Sequence, residues 1–261
     1  MTANGQTTHD SPAAYAALAR FYDLQHAAYI PDVAMYRQFA ESCPHGILEI
    51  GCGTGRVMVP LVEAGYRVVG VDESPQMLQI ARARLARLPA ERWQLLEADA
   101  RTFDLAERFS MAFIALNTFL HNLTRDDLLA MLSASRRHLA PGGALIVDLP
   151  PNDEMACQPD DGEYEFEATL VDPATDTVID KFFASRIFWA EQAQVLSYRI
   201  DEKTPRGVSS HTVSFRLRHV FRYEMELLLL RAGFKAWEWY GDYDLRAYTE
   251  DCPRMIVVAK A

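Results

Sequence analysis

Residues 47–57, Ile47-Leu48-Glu49-Ile50-Gly51-Cys52-Gly53-Thr54-Gly55-Arg56-Val57, lead from an apolar run into three alternate glycines, with an acid just ahead of them. Ile47, Leu48 and Ile50 suit a strand covered on both faces, and the glycines remove side chains where the chain turns and a ligand must come close. A helix expected from about Arg56 offers its free N–H groups at the same point. Glu49 can accept hydrogen bonds from a ligand or from the loop's own amides. A nicotinamide-binding turn would read G-x-G-x-x-G; here the third glycine comes one residue early and Arg56 stands in its place.

Outward from this loop, strands and helices alternate. Strands are expected at Gly46–Ile50, Arg67–Val71, Trp93–Glu97, Phe109–Leu116 and Ala144–Leu149, with helices from Arg56, Pro75 and Arg125. Such alternation predicts an α/β fold with a parallel sheet, helices on both faces and a ligand site beyond the strand carboxyl ends. Upstream, Ala14, Leu18, Phe21 and Leu24 recur with helical spacing between about Pro12 and Tyr29, and a short helix is expected over Val33–Ser42, so residues 1–45 read as a helical cap on a core of residues 46–152. After Pro150 the pattern becomes alternating and rich in β-branched and aromatic residues at Tyr164–Val171, Val178–Trp189, Gln194–Asp201 and His211–Phe221. Residues 153–221 are therefore expected to form an antiparallel β insertion, a lid. Residues 222–261 return to the core with a helix over Tyr223–Ala232 and strands at Lys235–Tyr240 and Met255–Ala259.

Two acids fall at the carboxyl edge of the expected sheet. Asp72 ends the second strand, where one carboxylate can accept both hydroxyls of a ribose, and Asp99 follows the third, placed to accept from an exocyclic amine such as that of adenine. Asp99 can equally cap the next turn, and Ser74-Pro75 reads as an N-cap and first helical residue. Glu73, Ala100 and Leu116 flank these strand ends. Together with Glu49, Gly51, Cys52, Gly53, Gly55, Asp72, Met77 and Asp99 they are the candidate cofactor contacts, with Cys52 read as a small loop residue and not a nucleophile. His121 lies just past the fourth strand.

The chain has 261 residues, 49% of them hydrophobic, and a net charge of -10. That balance argues against a surface built to neutralise phosphates or anionic membrane. No apolar stretch approaches the ~20 residues that span a bilayer and Met1–Ser11 is polar, so a cytoplasmic protein is expected. Cys43, Cys52, Cys157 and Cys252 are scattered without C-x-x-C pairing, which fits reduced thiols and no metal site.

Glu49-Ile50-Gly51-Cys52-Gly53-Thr54-Gly55, Val71-Asp72, Ala98-Asp99-Ala100 and Leu139-Ala140-Pro141-Gly142-Gly143 stand in the order found in class I S-adenosylmethionine-dependent methyltransferases, which the chain resembles from about Ile47 to Leu149. Phe21-Tyr22-Asp23-Leu24 and the β insertion look like a bacterial small-molecule subgroup that includes amino-sugar N,N-dimethyltransferases. The resemblance implies a Rossmann-like sheet, S-adenosylmethionine as cofactor with S-adenosylhomocysteine as product, and Tyr22 and His121 flanking the methyl acceptor, Tyr22 also touching the cofactor. Thr118-Phe119-Leu120-His121 departs from the subgroup's Ser-x-x-His. No N-P-P-Y motif follows the fourth strand; its nearest likeness, Asp148-Leu149-Pro150-Pro151, follows the fifth, and with the charge this speaks against a polynucleotide substrate. The expected partner is a small soluble molecule methylated at an amine or hydroxyl, with no nucleic acid and no membrane, by a monomer or a homodimer. An alkyl ammonium titrates near ~10, so a histidine of ordinary pKa ~6.5 at position 121 is expected to relay its proton to solvent. A non-catalytic S-adenosylmethionine-binding protein and a nicotinamide-dependent oxidoreductase are the competing readings. Tyr22 can instead pack with its hydroxyl at the surface. Arg246 and the acids of the loop from Tyr240 to Arg254 can orient a polar substrate or simply be solvated.

Overall fold

The computed structural model describes residues 19, 21–24, 26, 31–151, 158–205 and 207–261. Ala14 and Leu18 of the expected first helix lie outside the described residues, whereas 21–24 are helical. The second cap helix, α1, spans Pro31–Ala40. Five strands follow, β1 (Ile47–Ile50), β2 (Val68–Asp72), β3 (Trp93–Glu97), β4 (Phe109–Ile114) and β5 (Leu139–Leu149), with α2 (Met58–Glu63), α3 (Pro75–Leu85) and α4 (Arg125–Arg137) between them. The antiparallel segment comprises β6 (Glu165–Asp172), β7 (Thr177–Phe188), β8 (Ala193–Thr204) and β9 (Gly207–Arg218), and the chain closes with α5 (Arg222–Ala232), β10 (Ala236–Tyr240) and β11 (Met255–Lys260).

The main sheet has the order β10-β11-β5-β4-β1-β2-β3, parallel from β5 to β3, with β11 antiparallel to both β5 and β10. Because successive strand residues face opposite sides, the sheet builds two cores. Leu48, Ile50, Val69, Val71, Ala112 and Ile114 pack with Leu128 and Met131 of α4 and Met225 and Leu229 of α5. Ile47, Val68, Met111, Phe113 and Ile256 pack on the other face with Met35 and Tyr36 of α1 and Met58 and Leu61 of α2. Local sequence fixes the helix ends at the ligand edge: Ser74 accepts from Met77 N ahead of Pro75, and Thr124 accepts from Asp127 N at the start of α4.

Most boundaries shift by a residue or two from the sequence reading, and those at the glycine loop, β5 and the lid have clear causes. The helix after the glycine loop starts at Met58 because Arg56 and Val57 are still in the turn. β5 begins at Leu139, not Ala144: Phe109 pairs with Leu139 and Met111 with Ala144, and the extra residues form an irregularity where Gly142 adopts φ +76°. The lid strands also run past their apolar cores, since twelve-residue β7, β8 and β9 continue pairing through polar residues to Thr204 and Gly207. The lid's inner face joins the first core through Val213, Phe215 and Leu217.

Candidate active site

A cavity of about 450 Å³ lies between the carboxyl ends of the parallel strands and the inner face of the lid. Its floor is the glycine loop. Gly51 N and Cys52 N both donate to Val71 O, at 2.7 and 3.0 Å, which turns the chain sharply off β1. Gly51 sits at φ +75° with Thr118 pressed over it, so that a Cβ there would lie 2.2 Å from Thr118 Cγ2. Gly53 (φ +53°) is the opposite case: a Cβ would meet nothing within 4 Å and would project into space that a ligand can fill.

Gly51, Gly53, Asp72, Glu73, Met77, Asp99, Ala100, Leu116, His121 and Tyr22 all line this cavity. Glu49, Cys52 and Gly55 stand behind the loop and do not line the cavity. Both faces of β1 are covered, so Glu49 points into packed protein; burial pushes its carboxyl well up, and Arg56 and the Met58 N–H oppose the rise. Its Oε2 is buried with no hydrogen-bond partner among the described residues. Cys52 is enclosed against Gly70, with a thiol pushed up by burial and therefore inert. Gly55 lets the loop pack on α3, where a Cβ would lie 3.4 Å from that of Ala81.

The two edge acids are already engaged by the protein. Asp72 Oδ2 accepts from Gly53 N at 2.8 Å and Oδ1 from Ser74 N at 2.9 Å, so the acid braces the loop while each oxygen keeps a further acceptor direction. Burial lifts its carboxyl, and these amides oppose the rise. Asp99 is held below the usual carboxylate range by Arg101, whose guanidinium lies 2.6 Å away. Arg101 also reaches Asp127 at 2.8 Å, and the Asp99 carbonyl accepts from Thr102 N and Phe103 N. Asp99 thus caps its turn and lines the cavity at once.

His121 arrives on a short 3-10 turn, Thr118–His121, and its ring meets Phe215 of the lid edge-on at 5.9 Å. Burial pushes its pKa down to about 4. Burial thus disfavours the imidazolium, although His121 keeps partial exposure on the cavity side. Tyr22 does not lie with its hydroxyl at the surface. It stacks on His26 at 4.2 Å, faces the cavity, and has its hydroxyl raised by burial against the influence of Arg56. Arg56 in turn grips fully buried Asp32 through both guanidinium nitrogens, and Asp23 accepts from Thr54 Oγ1 at 2.7 Å and pairs with Arg84 at 2.7 Å. The cap is thereby strapped to the glycine loop.

Several lining residues were not foreseen. Lys181, 4% exposed on β7, faces the cavity, 2.9 Å from Glu167 and 4.2 Å above the Tyr198 ring; burial lowers its pKa. A lysine at the β7 position between Ile179 and Phe183 breaks the lid's apolar alternation, and that was the available signal. A second chamber of about 310 Å³ shares Asn117, Leu196, Tyr198 and Leu217 with the first and adds Glu167, Gln194 and His219. Arg246 pairs with Asp242 of its own loop at 2.8 Å and does not line the cavity. Leu116, at φ +50°, donates its N–H to Asp148 Oδ2 at 3.2 Å; Tyr243 Oη donates to the same oxygen at 2.9 Å, and Arg254 Nε to Oδ1 at 2.8 Å.

A parallel sheet of this order, with a glycine loop after β1 and acids after β2 and β3 around one cavity, defines the Rossmann-like fold of class I methyltransferases. A solved S-adenosylmethionine-dependent methyltransferase from Clostridium acetobutylicum has that fold, with a TM-score of 0.79 at 16% identity over 94% of this chain and 98% of its own. Within the chain, residues 47–143 match the family described as methyltransferase domain. The cypemycin N-terminal methyltransferase of a Streptomyces species is 32% identical over 49% of this chain and 52% of its own length. The dTDP-3-amino-3,6-dideoxy-alpha-D-glucopyranose N,N-dimethyltransferase of Streptomyces fradiae is 28% identical over 83% of each. The chain spans about half or less of the length of the first curated relatives it matches.

Proposed function

We propose that this protein is an S-adenosylmethionine-dependent methyltransferase that acts on a small molecule at an amine or hydroxyl. The observation that carries the reading is one cavity with two unlike halves: the glycine loop with Asp72, Glu73 and Asp99 on one side, and the aromatic inner face of the lid with His121 on the other. The residues fit the cofactor. Gly53 leaves open space beside the loop, Asp72 retains acceptor directions for a diol, Asp99 is placed for an amine, and the acidic wall suits a ligand bearing positive charge.

Bound there, S-adenosylmethionine supplies an already activated methyl group, which leaves the chain the tasks of alignment and dehydration. Tyr22, Tyr198 and Phe215 present aromatic faces that tolerate a nearby cation and exclude water. A histidine whose imidazolium is disfavoured by burial is a poor holder of an alkyl ammonium's proton. His121 instead accepts a hydrogen bond from an acceptor that arrives neutral, and orients its lone pair. The second chamber receives the remainder of the acceptor among Glu167, Gln194 and His219.

Calorimetric titration with S-adenosylhomocysteine, with NAD in parallel, tests the reading. The expected result is binding of S-adenosylhomocysteine, silence with NAD, and affinity weakened about tenfold or more in Asp72→Ala, which loses both the acceptor and the brace on the loop. Methyl transfer to a panel of amines and hydroxylated metabolites, read by mass, then identifies the acceptor. A folded protein that ignores S-adenosylhomocysteine would overturn the proposal.

A further inference from the structure

We infer that Asp148 is a positioning residue for the cofactor cavity and that it acts through the backbone of Leu116. The inference rests on the cofactor reading above and gives a role to the Asp148-Leu149-Pro150-Pro151 stretch that no other part of the site uses.

Four non-glycine residues among those described have positive φ: Leu116, Asp176, Gln192 and Leu245. Of these, only Leu116 lines the cavity. Leucine rarely adopts that conformation and keeps it only where its surroundings impose it. The surroundings here are specific. Asp148 is fully buried on β5, and its two oxygens divide the work: Oδ1 receives Arg254, which supplies the opposing charge, while Oδ2 receives Leu116 N–H together with the Tyr243 hydroxyl. Both partners come from the connector between β10 and β11. Beyond Leu116 the chain runs directly into Asn117, Thr118 and His121, which are all cavity residues, and Thr118 is wedged against Gly51 without room for a Cβ. A change in the direction of the Leu116 turn would therefore move the His121 turn and the glycine loop together. The connector, although it does not line the cofactor half of the cavity, sets its geometry through one carboxylate.

An ion pair that merely stabilised the fold would show up in stability alone. The discriminating experiment is a double-mutant cycle between Asp148→Asn and Leu116→Gly, read by calorimetric affinity for S-adenosylhomocysteine. Asparagine keeps one acceptor oxygen, which Arg254 claims, and turns an NH2 group toward Leu116 N–H. With leucine at position 116 the affinity is expected to fall about tenfold or more, and with glycine, which adopts positive φ freely, by less than about threefold. Equal losses in the two backgrounds would overturn the inference. A second arm needs no ligand: amide exchange at Leu116, measured by NMR on the free protein, is expected to speed up in Asp148→Asn and in the milder Tyr243→Phe while exchange at Phe113 in β4 stays slow. Unchanged exchange at Leu116 would also overturn it. Should the aspartate variant fail to fold, Tyr243→Phe carries both arms, with an affinity loss that Leu116→Gly suppresses. Absence of S-adenosylhomocysteine binding in the unaltered protein would defeat the cofactor reading alone, because the exchange arm still decides the role of Asp148.

Discussion

His121 illustrates how one side chain takes its chemistry from a distant element. The ring is delivered by the turn after β4, burial pushes its pKa down to about 4, and the lid contributes Phe215 against its edge. The consequence for stability has a definite sign. The ordinary value is 6.5, so on acidification the unfolded chain takes up the proton first; the stability tied to neutral His121 is complete above about 6.5 and drains away as pH falls toward about 4. Urea midpoints measured at pH 7.5 and pH 5 are expected to fall more for the native protein than for His121→Asn, which has nothing to titrate; equal falls would show that the ring is not desolvated. That position 121 is a cavity residue was legible, since a histidine just past a parallel strand belongs at the ligand edge. Its protonation state was not, because Phe215 lies far along the chain and nothing local in Thr118-Phe119-Leu120-His121 announces a desolvated ring.

Among the elements, the cap is held to the core by the apolar packing of Met35 and Tyr36 and by a buried ion pair. Asp32, fully buried on α1, faces Arg56 from the glycine loop, and an uncompensated charge in such a position is costly. Arg56→Met is expected to destabilise the protein by about 3–5 kcal/mol, read from urea unfolding, and to weaken S-adenosylhomocysteine binding because Tyr22 loses its neighbour. Destabilisation below about 1 kcal/mol, as expected of a surface pair, would refute the clamp. This pair also marks the limit of reading elements from sequence. Strands β1 to β4, β10 and β11 were visible as apolar runs, and the ligand edge followed from the acids at their ends. Arg56 was read as the residue that departs from a nicotinamide motif and as the start of a helix, while its partner Asp32, 24 positions away, fell outside the helix expected over Val33–Ser42. Lys181 and Glu167 escaped for the same reason, with the partner on a neighbouring strand. Glu49 kept two readings, contact with a ligand or with the loop's own amides, because a strand buried on both faces does not show where an acid points.

For the molecule as a whole, the surplus of acid sets what it meets. A net charge of -10 and an acidic wall in the cofactor half disfavour counterion release from a polynucleotide. No mobility shift of a DNA duplex or an RNA hairpin is therefore expected even at low salt; a shift that weakens steeply as salt is raised would contradict this. Among the described residues no helix is long and apolar enough to cross a membrane. The arrangement of the sheet has a further consequence, for the making of the protein. β11 lies between β5 and β10, and Asp148 meets Arg254 across 106 positions of chain, with the whole lid intervening. Until that late strand arrives, the flank of β5 carrying Leu145, Val147 and Leu149 is an open, apolar template for pairing. The sheet is thus a slow, high-contact-order assembly, and the nascent chain is most exposed to aggregation in the interval between translation of the lid and docking of β11.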